Sequence, residues 1–499
     1  MLLGIDLGTS SLRAAVVDEH GCILGLGQQE YGIDVPRPGW AEQHVNTWWE
    51  GAMRAVRQSL QQARIKPTAI HGIGLSGQMH GTVLVDAEGC AIAPAIIWAD
   101  TRSSKEAQSI NEALGAERLV AVAGNRASPG FMAATLAWLG EHEPGLLERA
   151  RYALLPKDYL RLRLTGEAAT EPSDASASLL FDITKWEWSQ TLIEAVGVDS
   201  RLLPPLVPST TVTGGLQAVV AEELGLLPGT PVVTGAGDQA AQAVGNGVIE
   251  ENEASSTIGT GGQVFQPCRR PTADPLLRVH CFCHALPHTW YLMGAMLAAG
   301  LSLRWWRDIL GLAESGAYST LDVEAQAVPP GAGGLLFLPY LLGERTPHMD
   351  PDARGAFIGL ALHHGRGHLA RAIMEGVAFA LCDGLAVLSE LAPRPRQVVA
   401  SGGGAKSRLW LQIQADVFGL PMATVAGVER AVVGAAMLAG IGTGIFDSFE
   451  QARESCVVYD DVIKPDKDRA KLYQAMFEQY RGLYPALREH LHALSESAH

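Results

Sequence analysis

At 499 residues the chain is longer than one hydrophobic core ordinarily serves, so two domains are expected. With 47% hydrophobic and 18% charged residues it is a globular chain, and a disordered one is excluded. Lys and Arg total 38 against 53 Asp and Glu, a net charge of −15, which excludes a general nucleic-acid binder because phosphate contacts dominate that affinity.

The predicted elements begin with an antiparallel meander over residues 2–8, 11–18 and 22–34, alternating around the turns DLGTS and EHGC. Residues 45–64 have helical periodicity, with Asn46 or Thr47 as the expected cap. AIHGIGLSGQ reads as a buried strand and GTVLVDAEGC as a strand running into a turn. Helices are expected over 103–115, 131–142 and 157–164. VVTGAGDQAAQAVGNG then ends an apolar strand at Asp238, and the glycine-bearing polar loop 245–252 is the expected hinge. The second half repeats the scheme: strands from 254 to 296, helices near 297–312 and 366–391, the strand VVASGGG, a helix at 406–418, the strand MATV and a helix at 431–440. Residues 466–494 read as one or two amphipathic helices bracing the end. Sheets with crossover helices in both halves give an α/β chain. No basic leader precedes the first strand, and no apolar stretch is expected to span a membrane. The seven cysteines (22, 90, 268, 281, 283, 382 and 456) lack a framework spacing and read as reduced, mostly buried thiols.

Five segments carry chemistry. LLGIDLGTSSLRAAVV and EASSTIGTGGQVF each place a Gly-Thr turn between two strands, one per half of the chain. Such turns present backbone N–H groups and a hydroxyl with no bulky Cβ at the glycines, and can hold phosphate oxygens. A hairpin turn needs no more than that, but Asp6 sits on an apolar strand just before the first turn, where a carboxylate is expensive unless it binds something; Mg²⁺ would account for it. Asp238 in GAGDQ could simply cap a helix, yet capping does not require the flanking glycines. The three glycines of SGGGAKS exceed what a strand-to-helix turn needs and suit a flat ligand against the backbone. His80 in SGQMHG follows Gln78 and Met79, a mixed strand end that suits a small polyol. The pairs Trp48-Trp49 and Trp305-Trp306 read as packing residues.

The segments GWAEQHVNTWW, SGQMHG, IIWADTR, LLPKDYLRLRLTGE, CHALP, FLPYLLGERTPH and SGGGAKSRLWLQIQAD, in that order, resemble the FGGY family of carbohydrate kinases, and within it the members that phosphorylate xylulose. Residues 355–375 fit a family signature. The resemblance covers almost the whole chain and implies a two-domain actin-like, hexokinase-like fold with ribonuclease H-like lobes, 1–245 and 246–499, and a cleft between them. It implies ATP contacts at Gly8, Thr9, Ser10 and Arg13 in the first lobe. In the second it implies Gly259, Thr260, Gly261, Gly300, Arg304, Gly403, Gly404 and Arg408. Met79, His80, Asp238 and Gln239 fall where the sugar is held, with Gln78 beside them, and Asp238 falls at the position of the general base.

Three departures stand against the family pattern: GTGG where GTSG is common, Thr135 where lysine is usual, and GDQ in place of GDN. A serine at Gly261 is expected to be tolerated. The implied reaction is transfer of the γ-phosphoryl of ATP to the C5 hydroxyl of a ketopentose, with Asp238 as base and Mg²⁺ held through Asp6. The implied partners are a small sugar and ATP, without nucleic acid or membrane, in a cytoplasmic enzyme whose assembly is open and includes a homodimer. Another polyol (ribulose, glycerol or a sugar acid) and a non-catalytic actin-like ATPase remain alternatives.

Overall fold

The computed structural model describes residues 1–312, 316–427 and 429–497. Its first sheet starts with β1 (Leu2–Leu7), β2 (Ser11–Val17) and β3 (Ile23–Glu30), an antiparallel meander as expected. The helix α1 (Val45–Ala63) crosses back, and β4 (Gly72–Gly77) enters parallel to β1. His44, not Asn46 or Thr47, is the residue before α1, and no side chain caps it. The expected cap residues lie inside the first turn because the apolar face already begins at Val45, which is buried with Trp48 and Ala52.

The helices α2 (Ser104–Arg118), α3 (Met132–His142), α4 (Pro156–Thr165) and the short α5 (Pro172–Ala177) follow. β5 (Val212–Gly215), β6 (Pro231–Val233) and β7 (Ala236–Gly237) complete a sheet of order β5-β6-β4-β1-β2-β3, with β7 also beside β4. α6 (Asp238–Gly245) leaves this sheet toward the second half.

The second sheet is built from β8 (Glu253–Ile258), β9 (Gly262–Cys268), β10 (His280–Cys283), β11 (Trp290–Met296), β12 (Gln397–Ser401), β13 (Met422–Val425) and β14 (Tyr459–Ile463), in the order β10-β11-β9-β8-β12-β13-β14. β8 pairs antiparallel with β9 and parallel with β12, just as β1 pairs antiparallel with β2 and parallel with β4. The repeat of strand and turn visible in the sequence is therefore a repeat of topology. α7 (Gly300–Ile309), α8 (Arg366–Leu391), α9 (Arg408–Phe418), α10 (Arg430–Gly442) and α11 (Lys467–Ser497) pack on and between the sheets.

Two features depart from expectation. α8 is long and apolar enough to meet a membrane-span criterion, contrary to the reading that no stretch would, but 83% of its apolar window is buried within the protein. It is the central helix of the second core, so its hydropathy serves packing. α10, late in the chain, packs on the first sheet: Val432, Val433 and Ala436–Ala439 share a core with Leu2, Ala15 and Val17. Its backbone comes so close to β4 that any Cβ at Gly74 would collide with the Ala435 carbonyl.

Candidate functional site

The carboxyl ends of the parallel strands gather the first set of polar groups. Across β1, β4 and β7, Asp6 is level with Ser76, Ala236 with Ser76, and Gly237 with Gly77. Gln78 and Asp238 are the residues that leave β4 and β7, so both carboxylates and the Gln78 amide lie at one end of the sheet. Open α/β sheets bind ligands at that end.

Asp6 is 7% exposed and accepts a 2.8 Å hydrogen bond from Ser76 Oγ. Burial raises its pKa, against that bond and the nearby Arg13. Asp238 is the first residue of α6, and Gly237 occupies the cap position, so Asp238 is not the helix cap. Burial and the neighbouring Asp6 charge push its carboxyl up to about 7, against hydrogen bonds from Gln239. A helix N-terminus favours a carboxylate; here desolvation and like charge outweigh it. A buried carboxylate with a half-buried one beside it suits a divalent cation, which would relieve their repulsion.

The wall beside them is aromatic. His80 has φ 72°, a conformation uncommon for any residue but glycine. Its ring stacks on Phe131 at 4.0 Å, and Phe282 lies 5.8 Å away. Nδ1 lies 2.8 Å from the Ala177 carbonyl, which can only accept, so Nδ1 carries the proton and Nε2 keeps its lone pair. Burial lowers the ring's pKa to about 4, which keeps it neutral. Met79 is 4% exposed, and Tyr291 Oη donates to its Sδ at 3.8 Å. Gln78 Nε2 donates to Gln43 Oε1 at 3.0 Å, while Gln78 Oε1 is buried without a partner. A buried carbonyl oxygen left unpaired is costly, and a hydroxyl donor from a ligand would satisfy it.

The first turn, Gly8–Ser10, is held from three sides. Tyr31 Oη donates to the Gly8 carbonyl at 2.5 Å, Gln43 Nε2 to the Thr9 carbonyl at 2.7 Å, and Trp98 Nε1 to Thr9 Oγ1 at 2.8 Å. With its oxygen accepting from Trp98, Thr9 is left with a hydroxyl proton to donate. Arg13 is less available, because Glu429 takes its guanidinium at 3.1 Å.

The second turn is stitched to α7. The N–H groups of Ala299 and Leu301 both donate to the Thr260 carbonyl at 3.0 Å, and that of Gly300 to the Gly259 carbonyl at 3.0 Å. Arg304 Nη2 reaches Thr260 Oγ1 at 3.4 Å. The triglycine loop lies against the same backbone: Gly402 has φ 78°, and a Cβ there would stand 2.6 Å from the Ile258 carbonyl oxygen. Gly259, Thr260, Gly261, Gly300, Arg304, Gly403 and Gly404 are thus one surface. Arg408 is exposed, its guanidinium 3.5 Å from Asp461, and with Ala405 and Lys406 just after the triglycine loop it lines a hollow of about 700 Å³. Gly261 has ordinary φ, but a Cβ would meet the Met296 carbonyl oxygen at 2.8 Å. The expected tolerance for serine is therefore opposed by backbone crowding.

Several residues that position this site were not singled out in the sequence. Gln242, one turn beyond Asp238 on α6, donates to Thr257 Oγ1 at 3.1 Å and Ser401 Oγ at 2.9 Å, which ties the helix that Asp238 opens to the strands that end in the second turn and the triglycine loop. The spacing of four on an amphipathic helix was the available signal. Behind Asp238 lies a cluster of five charges with no exposure: Lys157, Asp158, Arg161, Glu171 and Asp174. Lys157 Nζ is 2.8 Å from Asp158, 3.1 Å from Asp174 and 3.4 Å from Glu171. Ser173 links the cluster to the strand end before Asp238, donating to Glu171 Oε1 at 2.8 Å and accepting from the Gly237 N–H at 3.0 Å.

The chain matches the N-terminal domain model of the FGGY family of carbohydrate kinases over residues 1–245 and the C-terminal domain model over residues 254–443. It is 38% identical to a xylulose kinase of Lactococcus lactis, covering 99% of this chain and 98% of that one. A xylulose kinase of Bacillus subtilis is 36% identical, with 97% and 96% covered. The crystal structure of a "xyloylose kinase" from Brucella ovis superimposes with a TM-score of 0.91 at 37% identity, covering 98% of this chain and 99% of that chain.

Proposed function

The chain belongs to the FGGY family of carbohydrate kinases, and from that premise we propose that it transfers the γ-phosphoryl group of ATP to the C5 hydroxyl of D-xylulose, giving D-xylulose 5-phosphate in the cytoplasm. The observation that carries the reading is Asp238, a carboxyl held near neutrality at the strand ends beside Gln78, Met79 and His80. The choice of sugar rests on the relatives that bear the name xylulose kinase.

Phosphoryl transfer passes through a loose transition state, so positioning and charge stabilisation supply most of the catalysis. The sugar lies along the His80 wall, its hydroxyls meeting Gln78 Oε1, His80 Nε2 and Gln239. Asp238 accepts the proton of the primary hydroxyl as that oxygen attacks the γ-phosphorus. A pKa near 7 places the base where correct protonation and driving force are both adequate. The N–H groups and hydroxyls of the two Gly-Thr turns, at Gly8–Ser10 and Gly259–Gly261, hold the phosphates from opposite lobes, 1–245 and 246–499. The backbone at Gly403 and Gly404 supports the adenine. Asp6, with Asp238 beside it, would hold Mg²⁺, which when bound neutralises the charge of the β and γ oxygens. Closure about residues 245–252 excludes water from the phosphoryl group.

The test is a panel of xylulose, ribulose, glycerol and gluconate, each with ATP, in which ADP formation is followed. The proposal expects the highest kcat/KM with xylulose and little ADP without sugar. A higher kcat/KM with another polyol would reassign the substrate. ADP formation indifferent to every sugar would favour an actin-like ATPase.

A further inference from the structure

The helices α2 and α3 bring together three side chains that no step above uses. Glu106 lies in the first turn of α2, and Glu141 and His142 are the last two residues of α3. One ligand atom from each lies within 4.8 Å of the other two, the only such grouping of three His, Cys, Asp or Glu residues among the described residues.

Two observations point to a missing occupant. Glu106 is 8% exposed, and its Oε2 is buried with no hydrogen-bond partner. A carboxylate oxygen removed from water and left unpaired is unfavourable unless something cationic meets it. His142 is already oriented. Its ring stacks on Trp138 at 4.6 Å, and its Nδ1 lies 3.0 Å from the Trp138 carbonyl. A carbonyl only accepts, so Nδ1 carries the proton and Nε2 presents a lone pair. A metal-binding histidine is commonly held in this way by a backbone carbonyl on its other nitrogen.

We propose that Glu106, Glu141 and His142 bind one zinc ion, with water completing the coordination, and that the ion fastens the start of α2 to the end of α3. The donor set is two carboxylates and one imidazole. It suits a divalent ion of borderline softness, and Mg²⁺, which prefers an octahedral shell of oxygen, is disfavoured. With metal–ligand bonds of about 2.0–2.2 Å the ligand atoms of a tetrahedral site stand roughly 3.4 Å apart. The present spacing of up to 4.8 Å is wider, and the exposed Glu141 side chain is free to turn toward the other two ligands. The same helix α3 follows directly on Phe131, whose ring backs His80, so the ion would brace a helix that supports the sugar wall.

Calorimetric titration of the full chain with zinc chloride in a non-chelating buffer tests this, with thermal unfolding recorded with and without the metal. The wild type is expected to bind zinc and to gain thermal stability from it. Glu106→Gln keeps the shape of the side chain at an oxygen that makes no hydrogen bond, so it should fold as the wild type does. It should bind at least about tenfold more weakly. His142→Ala should lose the same binding event. The histidines at 363, 364 and 368 form a separate surface cluster in which His364 uses both ring nitrogens; His368→Ala serves as the control and should leave the event intact. Absence of zinc binding to the wild type overturns the proposal. So does undiminished binding and stabilisation in both Glu106→Gln and His142→Ala.

Discussion

Replacing Asp238 by asparagine should remove activity and stabilise the protein at alkaline pH. The substitution keeps the shape of the side chain and deletes a charge that burial and Asp6 both oppose. A carboxyl moved from 3.8 to about 7 would carry an ionisation cost of about 4 kcal/mol if wholly sealed from water, at about 1.4 kcal/mol per decade. Asp238 retains partial access to solvent, so about 1–2 kcal/mol is expected. The sign follows from linkage. The folded protein holds this proton more tightly than the unfolded chain, so the contribution favours folding at low pH and is lost as pH rises from about 4 through about 7. The Asp238→Asn variant should therefore match the wild type near pH 4 and exceed it above pH 7, as read by urea unfolding at several pH values. Loss of the general base should lower kcat about 10²–10⁴-fold, with nucleotide binding retained. Near wild-type turnover would refute the role, and a stability difference that does not change with pH would refute the electrostatic account.

Asp6→Asn removes a charge that raises the pKa of Asp238; the acid limb of the kcat/KM profile should move below 7 and the Mg²⁺ requirement should rise, both read from initial rates. Ser173→Ala leaves the buried Gly237 N–H and a Glu171 oxygen without their link. A loss of about 1–3 kcal/mol in unfolding free energy is expected, with kcat falling more than the KM for sugar changes. Lys157→Met strands three buried carboxylates, and a loss of about 3–5 kcal/mol should be seen by denaturant titration. Gly261→Ser forces its Cβ toward the Met296 carbonyl; a strain of about 1–3 kcal/mol should appear as a raised KM for ATP with an intact far-UV spectrum.

The parts of the site that the sequence disclosed are those whose chemistry is local. Asp6 and the turn after it are consecutive residues, and so are the strand end and Asp238, and the triglycine loop with its strand. Each could be recognised within a dozen positions. What holds these parts was not legible, because it comes from distant segments. Trp98 and Gln43 reach Thr9 from 89 and 34 positions away, and neither residue type by itself signals such a bond. LLPKDYLRLRLTGE contributed to the family resemblance but gave no sign that Lys157, Asp158 and Arg161 are sealed from water, since alternating charge ordinarily marks a solvated helix face. α8 was legible as a helix, but that it is long and apolar enough to pass for a membrane span was missed; a largely buried core helix can have that composition. The cap of α1 was displaced by two or three residues because the apolar face, not the polar cap residue, sets where the helix begins.

The central claim is a directed transfer of phosphate to one hydroxyl of a ketopentose. ³¹P and ¹³C NMR of the product formed from xylulose and ATP tests it most directly. A single phosphate ester on C5, formed in step with ADP by the wild type and absent with Asp238→Ala, is the predicted result. A phosphate on another carbon, or ADP and inorganic phosphate without any sugar ester, would contradict it.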